Sequence, residues 1–284
     1  LAALLGQAQL HDVHRRLSRF ERDSELSRLN ADPAAVVVAS RLLRRLAHAV
    51  VEAGERSGGL VDATRLRALE RAGYAASRAA EPGLALADVL RDAPAPRPAA
   101  PHGDHGWAAI VVDDGARTIA RPPGLRIDGG GLAKGLAADL LATTLAGHPA
   151  FAIDCAGDVR VGGRAGVQRS VLVEDPFDPG APSLHELRMS AGAAATSGIG
   201  RRSWRAPGGA PAHHLLDPAT GRPAWTGVAQ ATAFAPTALE AEILAKTALL
   251  SGPEHGRGAL VHGGVLVLAD GSVDVVEALV GQAA

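Results

Sequence analysis

Three consecutive glycines leave a chain little choice of local structure. In Ile127-Asp-Gly-Gly-Gly-Leu-Ala-Lys-Gly-Leu-Ala-Ala-Asp139 they run straight into an Ala/Leu-rich stretch that carries a lysine one turn in. Glycine tolerates positive φ and lets the backbone approach a ligand closely, while the free N–H groups and positive end of the following helix attract an anion, most often a phosphate. The segment matches neither well-known phosphate loop. A Walker loop needs Gly before Lys and Ser or Thr after it, whereas Ala133 and Gly135 flank Lys134. The third glycine of the dinucleotide fingerprint would fall at Lys134 if Gly129 and Gly131 were the first two. Two readings stand at this point: a cradle for a phosphate-bearing substrate, or a turn that caps a buried helix.

Bulk properties narrow the partners. The 284 residues carry 29 basic and 30 acidic side chains and are 47% apolar, enough for one large or two modest domains around a sizeable core. A net charge of -1 argues against nucleic acid or an acidic membrane as the main partner, leaving open a local basic patch at Arg201, Arg202 and Arg205. Cys155 is the single cysteine, so an intramolecular disulfide and a thiolate metal site are excluded, and its apolar strand context predicts a buried thiol. No apolar run approaches the roughly 20 residues that span a bilayer, and the opening Leu-Ala-Ala-Leu-Leu lacks a basic flank and a cleavage site. The expectation is a cytoplasmic chain; because it opens with Leu, an exported form stays open.

Periodicity predicts helices over about 3–19, 34–56 and 64–72, over Leu132 to Leu145, and from Pro236-Thr237 to Gly252. Between Asp92 and Gly106 the prolines predict a long surface loop. Strands are expected at Trp107–Val112, Leu125–Ile127, Ala150–Ile153, Val159–Val161 and Val171–Val173, and a hairpin at Val265–Ala269 and Val273–Val276 around Asp270-Gly271-Ser272. Helices and strands mix without strict alternation, which points to an α+β fold with a mixed, partly antiparallel sheet and packed helices.

Four further segments could carry chemistry. Ser57-Gly-Gly-Leu-Val-Asp-Ala-Thr64 sets a carboxylate two residues from a hydroxyl, as a ligand contact or as a cap of the next helix. Ala195-Thr-Ser-Gly198 reads as a small-residue turn, either wrapping a ligand or merely bending. In His213-His-Leu-Leu-Asp-Pro-Ala-Thr-Gly221 the Asp-Pro-x-x-Gly part is turn chemistry, and a histidine beside so tight a turn is placed for general-base work. On the late helix Glu242 and Lys246 are four apart and share a face, the spacing of a routine ion pair worth about 0.2–0.5 kcal/mol.

In this order the segments resemble the FAD:protein FMN transferase (ApbE) family, from about Arg19 to Gly252. Arg19-Phe-Glu-Arg-Asp-Ser-Glu-Leu-Ser-Arg-Leu-Asn30 is similar to its Ser/Asp-Ser-Glu-Leu-Ser-x-Leu-Asn segment, Gly59-Leu-Val-Asp-Ala-Thr64 to Gly-x-Phe-Asp-Pro-Thr, and Asp128 to Gly135 to Asp-Leu-Gly-Gly-Ile-Ala-Lys-Gly. Asp154-Cys-Ala-Gly-Asp-Val-Arg160 looks like the family's Gly-Gly-Asp strand end, and Ala195-Thr-Ser-Gly198 and His214-Leu-Leu-Asp-Pro-x-Thr-Gly221 match closely. The resemblance implies a single domain over residues 1–284. It further implies a Mg²⁺-dependent transferase that cleaves FAD, joins FMN through a phosphoester to a Ser or Thr hydroxyl of an acceptor protein, and releases AMP. Anhydride cleavage needs charge neutralisation and in-line positioning, and an acceptor hydroxyl benefits from a base.

By the same resemblance His214 is the candidate base. Leu60, Val61, Asp62 and Lys134 are assigned to FAD contact, Leu216 to the flavin or adenine, Thr196 and Ser197 to the same pocket, and Asp128 to orienting the glycine turn. The family holds Mg²⁺ through a backbone oxygen matching Gly131 and through an Asp and a Thr that correspond to Glu242 and Lys246. Glu can ligate Mg²⁺; an ammonium cannot. Either Lys246 replaces a metal charge in catalysis, or Glu242, Gly131 and substrate phosphates hold the metal, or Glu242 and Lys246 pair and catalysis is lost. Family members also begin with a Met-Gly-Thr strand that contributes to the flavin pocket, and this chain begins inside the first helix, so that wall is expected to be incomplete. A non-catalytic flavin-binding protein and an FAD pyrophosphatase giving FMN and AMP are the competing functions.

Overall fold

The computed structural model describes residues 2–78, 81, 83–206 and 208–278. Its helices are α1 (Ala2–Leu17), α2 (Glu25–Ala31), α3 (Arg41–Arg56), α4 (Leu66–Arg71), α5 (Leu86–Arg91), α6 (Ala133–Leu145) and α7 (Ala238–Ala259). A small sheet joins β1 (Val36–Val38), β2 (Val111–Asp113) and β3 (Thr118–Ala120) in the order β1-β3-β2. The remaining strands are β4 (Phe151–Cys155), β5 (Asp158–Gly162), β6 (Arg169–Val173), β7 (His185–Met189), β8 (Gly192–Gly198), β9 (Ser203–Arg205), β10 (Pro211–His213), β11 (Leu216–Asp217), β12 (Arg222–Pro223), β13 (Val228–Ala235), β14 (Gly264–Leu268) and β15 (Val273–Val276). The chain is α+β as expected, and its main sheet, six strands in the order β15-β14-β13-β8-β5-β4, is antiparallel at every pairing.

One face of that sheet is built from alanines. Ala193, Ala195 and Ala235 pack against Ala138 and Leu141 of α6 and Ala238 and Ala241 of α7. Such small side chains let two helices approach the sheet and each other. Gly135 completes the fit, because a Cβ there would lie 2.7 Å from the Ala238 carbonyl oxygen. Asp139 then caps α7 from its neighbour, accepting from Ala238 N and Leu239 N at 2.9 Å each. The opposite face is covered by the β6–β7 hairpin, through Val171 against Ala194 and Phe234. A second core gathers α1, α2, α3 and the small sheet around Leu26, Leu46, Val50, Ile119 and Ile127.

The structure corrects several sequence expectations. The helix expected over 34–56 begins instead with strand β1, because three successive valines favour a strand and Ser40 caps α3 by accepting from Leu43 N at 3.2 Å. Gly106–Ala109 is a 3₁₀ turn, so the strand expected from Trp107 shrinks to β2; the Trp107 ring lies flush over Gly54 of α3. Leu125–Ile127 pairs with no strand. The Asn30 amide takes the place of a strand partner, donating to Ile127 O and accepting from Ile127 N at 2.8 Å each. Ala195–Gly198 is not a turn but the end of β8.

The proline-rich segment has no regular structure, yet it is tied down. Its non-proline N–H groups donate from Arg97 to Trp225 O, from Ala99 to Leu250 O and from Ala100 to the Asp217 carboxylate. The late helix breaks at Gly252, at φ 78°, where the sequence places its stop.

Candidate active site

Glycines 129 to 131 are needed for closeness, since none adopts a positive φ. A Cβ at Gly129 would meet Leu17 O and Leu46 Cδ2 at 3.3 Å, and one at Gly131 would meet Lys246 Cε at 3.3 Å. Asp128 orients the turn, as expected of it: its carboxylate accepts from Gly130 N at 3.2 Å and from Arg19 Nε at 3.0 Å. Asp128 N donates to Ala63 O at 2.8 Å, which fastens the turn to the 60–64 segment. Asp62 accepts there from Thr64 N and Thr64 Oγ1, at 2.8 and 2.5 Å. This is a local turn ending two residues before α4, whose N-cap is Arg65. Val61 and Leu60 pack into separate hydrophobic clusters.

Helix α6 has no side-chain N-cap, and its first turn faces a buried ladder of charge. Lys134 Nζ lies 2.7 Å from Asp158 Oδ2 and 4.0 Å from Glu242 Oε1; Lys246 Nζ lies 3.0 Å from Glu242 Oε1. Glu242 Oε2 accepts from Gly135 N at 3.0 Å, so both of its oxygens are engaged. The Lys134–Asp158 contact is an ion pair without hydrogen-bond alignment, and Asp158 is fully enclosed. The tight β4–β5 turn delivers that carboxylate, with Ala156 and Gly157 both at positive φ and Asp154 accepting from Gly157 N.

The Glu242–Lys246 pair is therefore no surface pair. Glu242 is 1% exposed and Lys246 9%. Burial raises the Glu242 carboxyl above the usual carboxylate range, opposed chiefly by the Lys246 charge. Taking two charges out of water is costly, and removing one partner of such a pair costs about 3–5 kcal/mol. Cys155, half-buried rather than buried as expected, is pushed up to about 11, first by burial, so its thiol stays protonated at neutral pH.

The two histidines at the end of β10 diverge. His213 is enclosed against the edge of Trp225, at 4.6 Å between ring centres, and neither ring nitrogen has a hydrogen bond of acceptable geometry. Burial drives its pKa to about 3. His214 is half-buried beside Tyr74, with a shielded, unpartnered Nδ1. Burial first, then the charges of Arg202, His213 and Lys246, hold it well below the ordinary histidine value. The imidazole is thus neutral at physiological pH, the form a general base needs.

Beside His214 lies a cluster that the sequence reading missed. Tyr74 stacks on Trp204 at 5.5 Å and meets Phe20 edge-on at 5.7 Å, the Arg19 guanidinium lies 4.9 Å from the Tyr74 ring, and Leu216 packs on the group. The available signal was scarcity: the chain has one tyrosine, three tryptophans and four phenylalanines, and three of these meet here. A cavity of about 320 Å³ opens beyond Arg19, lined by Asn30, Glu70 and Arg126 but not by the charge ladder.

Thr196 and Ser197 do not share a pocket. Successive strand residues point to opposite faces. Ser197, buried, is on the helix-covered face with Ala195, while Thr196 is exposed on the other and bonds to Thr232 at 2.8 Å.

The donor set does not fit Mg²⁺. A magnesium ion takes a near-octahedral shell of oxygens. Here the Glu242 oxygens are occupied by Lys246 and Gly135 N, Asp158 is paired with Lys134, and the Lys246 stem runs alongside Gly131. Among the described residues no three His, Cys, Asp or Glu side chains gather into a metal-binding group.

A glycine turn and lysine-bearing helix start, set on an alanine-faced antiparallel sheet, define an α+β protein with a candidate anion-binding turn. The chain belongs to the ApbE family, whose sequence profile matches residues 5–268. It is 28% identical over 258 residues to the FAD:protein FMN transferase of Treponema pallidum (strain Nichols), covering 84% of this chain and 68% of that protein. Its fold is similar to the ApbE protein of Thermotoga maritima MSB8, with a TM-score of 0.77 at 24% identity over 97% of this chain and 89% of that one. It is also similar to the apo flavinyl transferase ApbE of Pseudomonas stutzeri, with a TM-score of 0.72 at 21% identity over 96% and 85%. No helix among the described residues is long and apolar enough to cross a membrane.

Proposed function

We propose that this protein is an FAD:protein FMN transferase working as a single domain. Family membership supports the reading, and the observation that carries it is the convergence of three distant motifs. The 60–64 segment is bonded to the glycine turn through Asp128 N and Ala63 O, and Arg19, which donates to the Asp128 carboxylate, lies against the Tyr74 ring that His214 meets edge-on.

In the proposed reaction the acceptor's Ser or Thr oxygen attacks the phosphorus on the FMN side of the FAD anhydride. A new P–O bond forms as the bridging P–O bond breaks, and AMP leaves with the bridging oxygen and its electron pair. The hydroxyl proton passes to neutral His214. Lys134, at the start of α6, holds the pyrophosphate, where its ammonium stabilises developing charge. Asp62 and the backbone at Leu60 and Val61 contact the nucleotide, Leu216 with the Tyr74–Trp204 stack flanks a ring system, and Ser197 borders the pocket. The compartment assigned is the cytoplasm, to be checked by fractionating cells that make the protein.

The test is incubation with FAD and an acceptor domain carrying a Ser or Thr target. Flavin fluorescence that stays with denatured acceptor, with equimolar AMP, is the expected result. AMP without labelled acceptor would make the protein a pyrophosphatase, and FAD bound but unchanged after hours would make it a flavin carrier.

A further inference from the structure

Resting on that reading, we infer that Lys246 together with Lys134 supplies the positive charge a divalent cation would bring, so that FAD binding and FMN transfer in this protein need no metal. Two ammonium groups face two enclosed carboxylates, Asp158 and Glu242, in one continuous ladder, so the resting site is charge-balanced before substrate arrives. Glu242 is consumed in holding this arrangement: one oxygen fixes Lys246 and the other pins the first turn of α6 through Gly135 N. It therefore positions, rather than ligates. The Lys246 Cε would lie 3.3 Å from a Cβ added at Gly131, so its side chain runs past the glycine turn where a phosphate would lie. An ammonium is a compact point charge with three donors, suited to phosphate oxygens.

The experiment is an FAD titration, followed by quenching of flavin fluorescence, of the purified full chain in excess EDTA and in millimolar MgCl₂. The expected result is an FAD affinity equal within twofold in the two buffers, and AMP release in EDTA undiminished when acceptor is present. A tenfold or greater loss of affinity in EDTA, or transfer abolished by EDTA and restored by Mg²⁺, overturns the inference. Lys246→Thr should bind FAD at least tenfold more weakly in EDTA, whereas Lys246→Arg, which keeps the charge, should stay within about threefold of the parent. Equal binding by all three proteins in EDTA would also overturn it. If Lys246→Thr does not fold, the Lys246→Arg and parent titrations decide. Should FAD bind without any transfer in either buffer, the transferase reading fails while the titration still judges the charge substitution.

Discussion

At the scale of single residues, neighbouring positions in one sequence motif meet opposite environments. His213 and His214 precede the same turn, and in the sequence only the family resemblance singles out His214; the end of β10 sends one ring against Trp225 and the other toward Tyr74. His214→Ala should lower FMN transfer by 10²- to 10⁴-fold, the usual range for a lost general base, while FAD affinity changes little. An unchanged transfer rate would remove the base assignment. The pH profile gives a second check. A base acts in its neutral form, and a depressed pKa keeps that form populated below the ordinary histidine value near 6.5. The acid limb attributable to His214 should therefore lie well under pH 6.5, and a limb at or above that value contradicts the structure.

At the scale of elements, α6 and α7 are set by a contact that only glycine permits. Gly135→Ala would drive a methyl group into the Ala238 backbone at 2.7 Å, and rigid backbone cannot yield as a side-chain tip can. The expected outcome is a loss of about 1–3 kcal/mol in chemical denaturation, with weaker FAD binding because Lys134 and Gly135 N move with the helix start. A variant as stable and as tight-binding as the parent would mean that α6 can shift without cost. Helices were the legible elements. α1, α6 and α7 follow apolar spacing, and α7 breaks at its glycine stop, Gly252, whereas the strands that form the sheet centre did not announce themselves. β8, Gly-Ala-Ala-Ala-Thr-Ser-Gly, and β13, Val-Ala-Gln-Ala-Thr-Ala-Phe-Ala, are rich in alanine and, Thr196 apart, largely covered on both faces. Alanine has low strand propensity, and double coverage erases the alternation by which a half-exposed strand is recognised.

At the scale of the whole molecule, enclosing His213 without a hydrogen bond makes the fold sensitive to acid. Its folded pKa of about 3 lies below the unfolded value near 6.5, so the unfolded chain binds the extra proton between these limits. The stability it contributes is complete above pH 6.5 and declines as pH falls toward 3. His213→Gln should flatten that part of the stability–pH curve, measured by urea denaturation at successive pH values; an unaltered slope would show that other groups govern it. The sequence alone determined the α+β class, helices α1 and α6, the start and break of α7, and the family through its ordered motifs, because capping, glycine stops and backbone turns are local chemistry that travels with the residues. It also showed that Glu242 and Lys246 share a helix face. Whether they form a solvated pair, a metal site or a buried charge ladder depended on what α7 packs against, and on Lys134, Gly135 and Asp158 arriving from other elements. Burial and long-range contact set the dielectric and the partners of each charge, and only the tertiary structure fixes both.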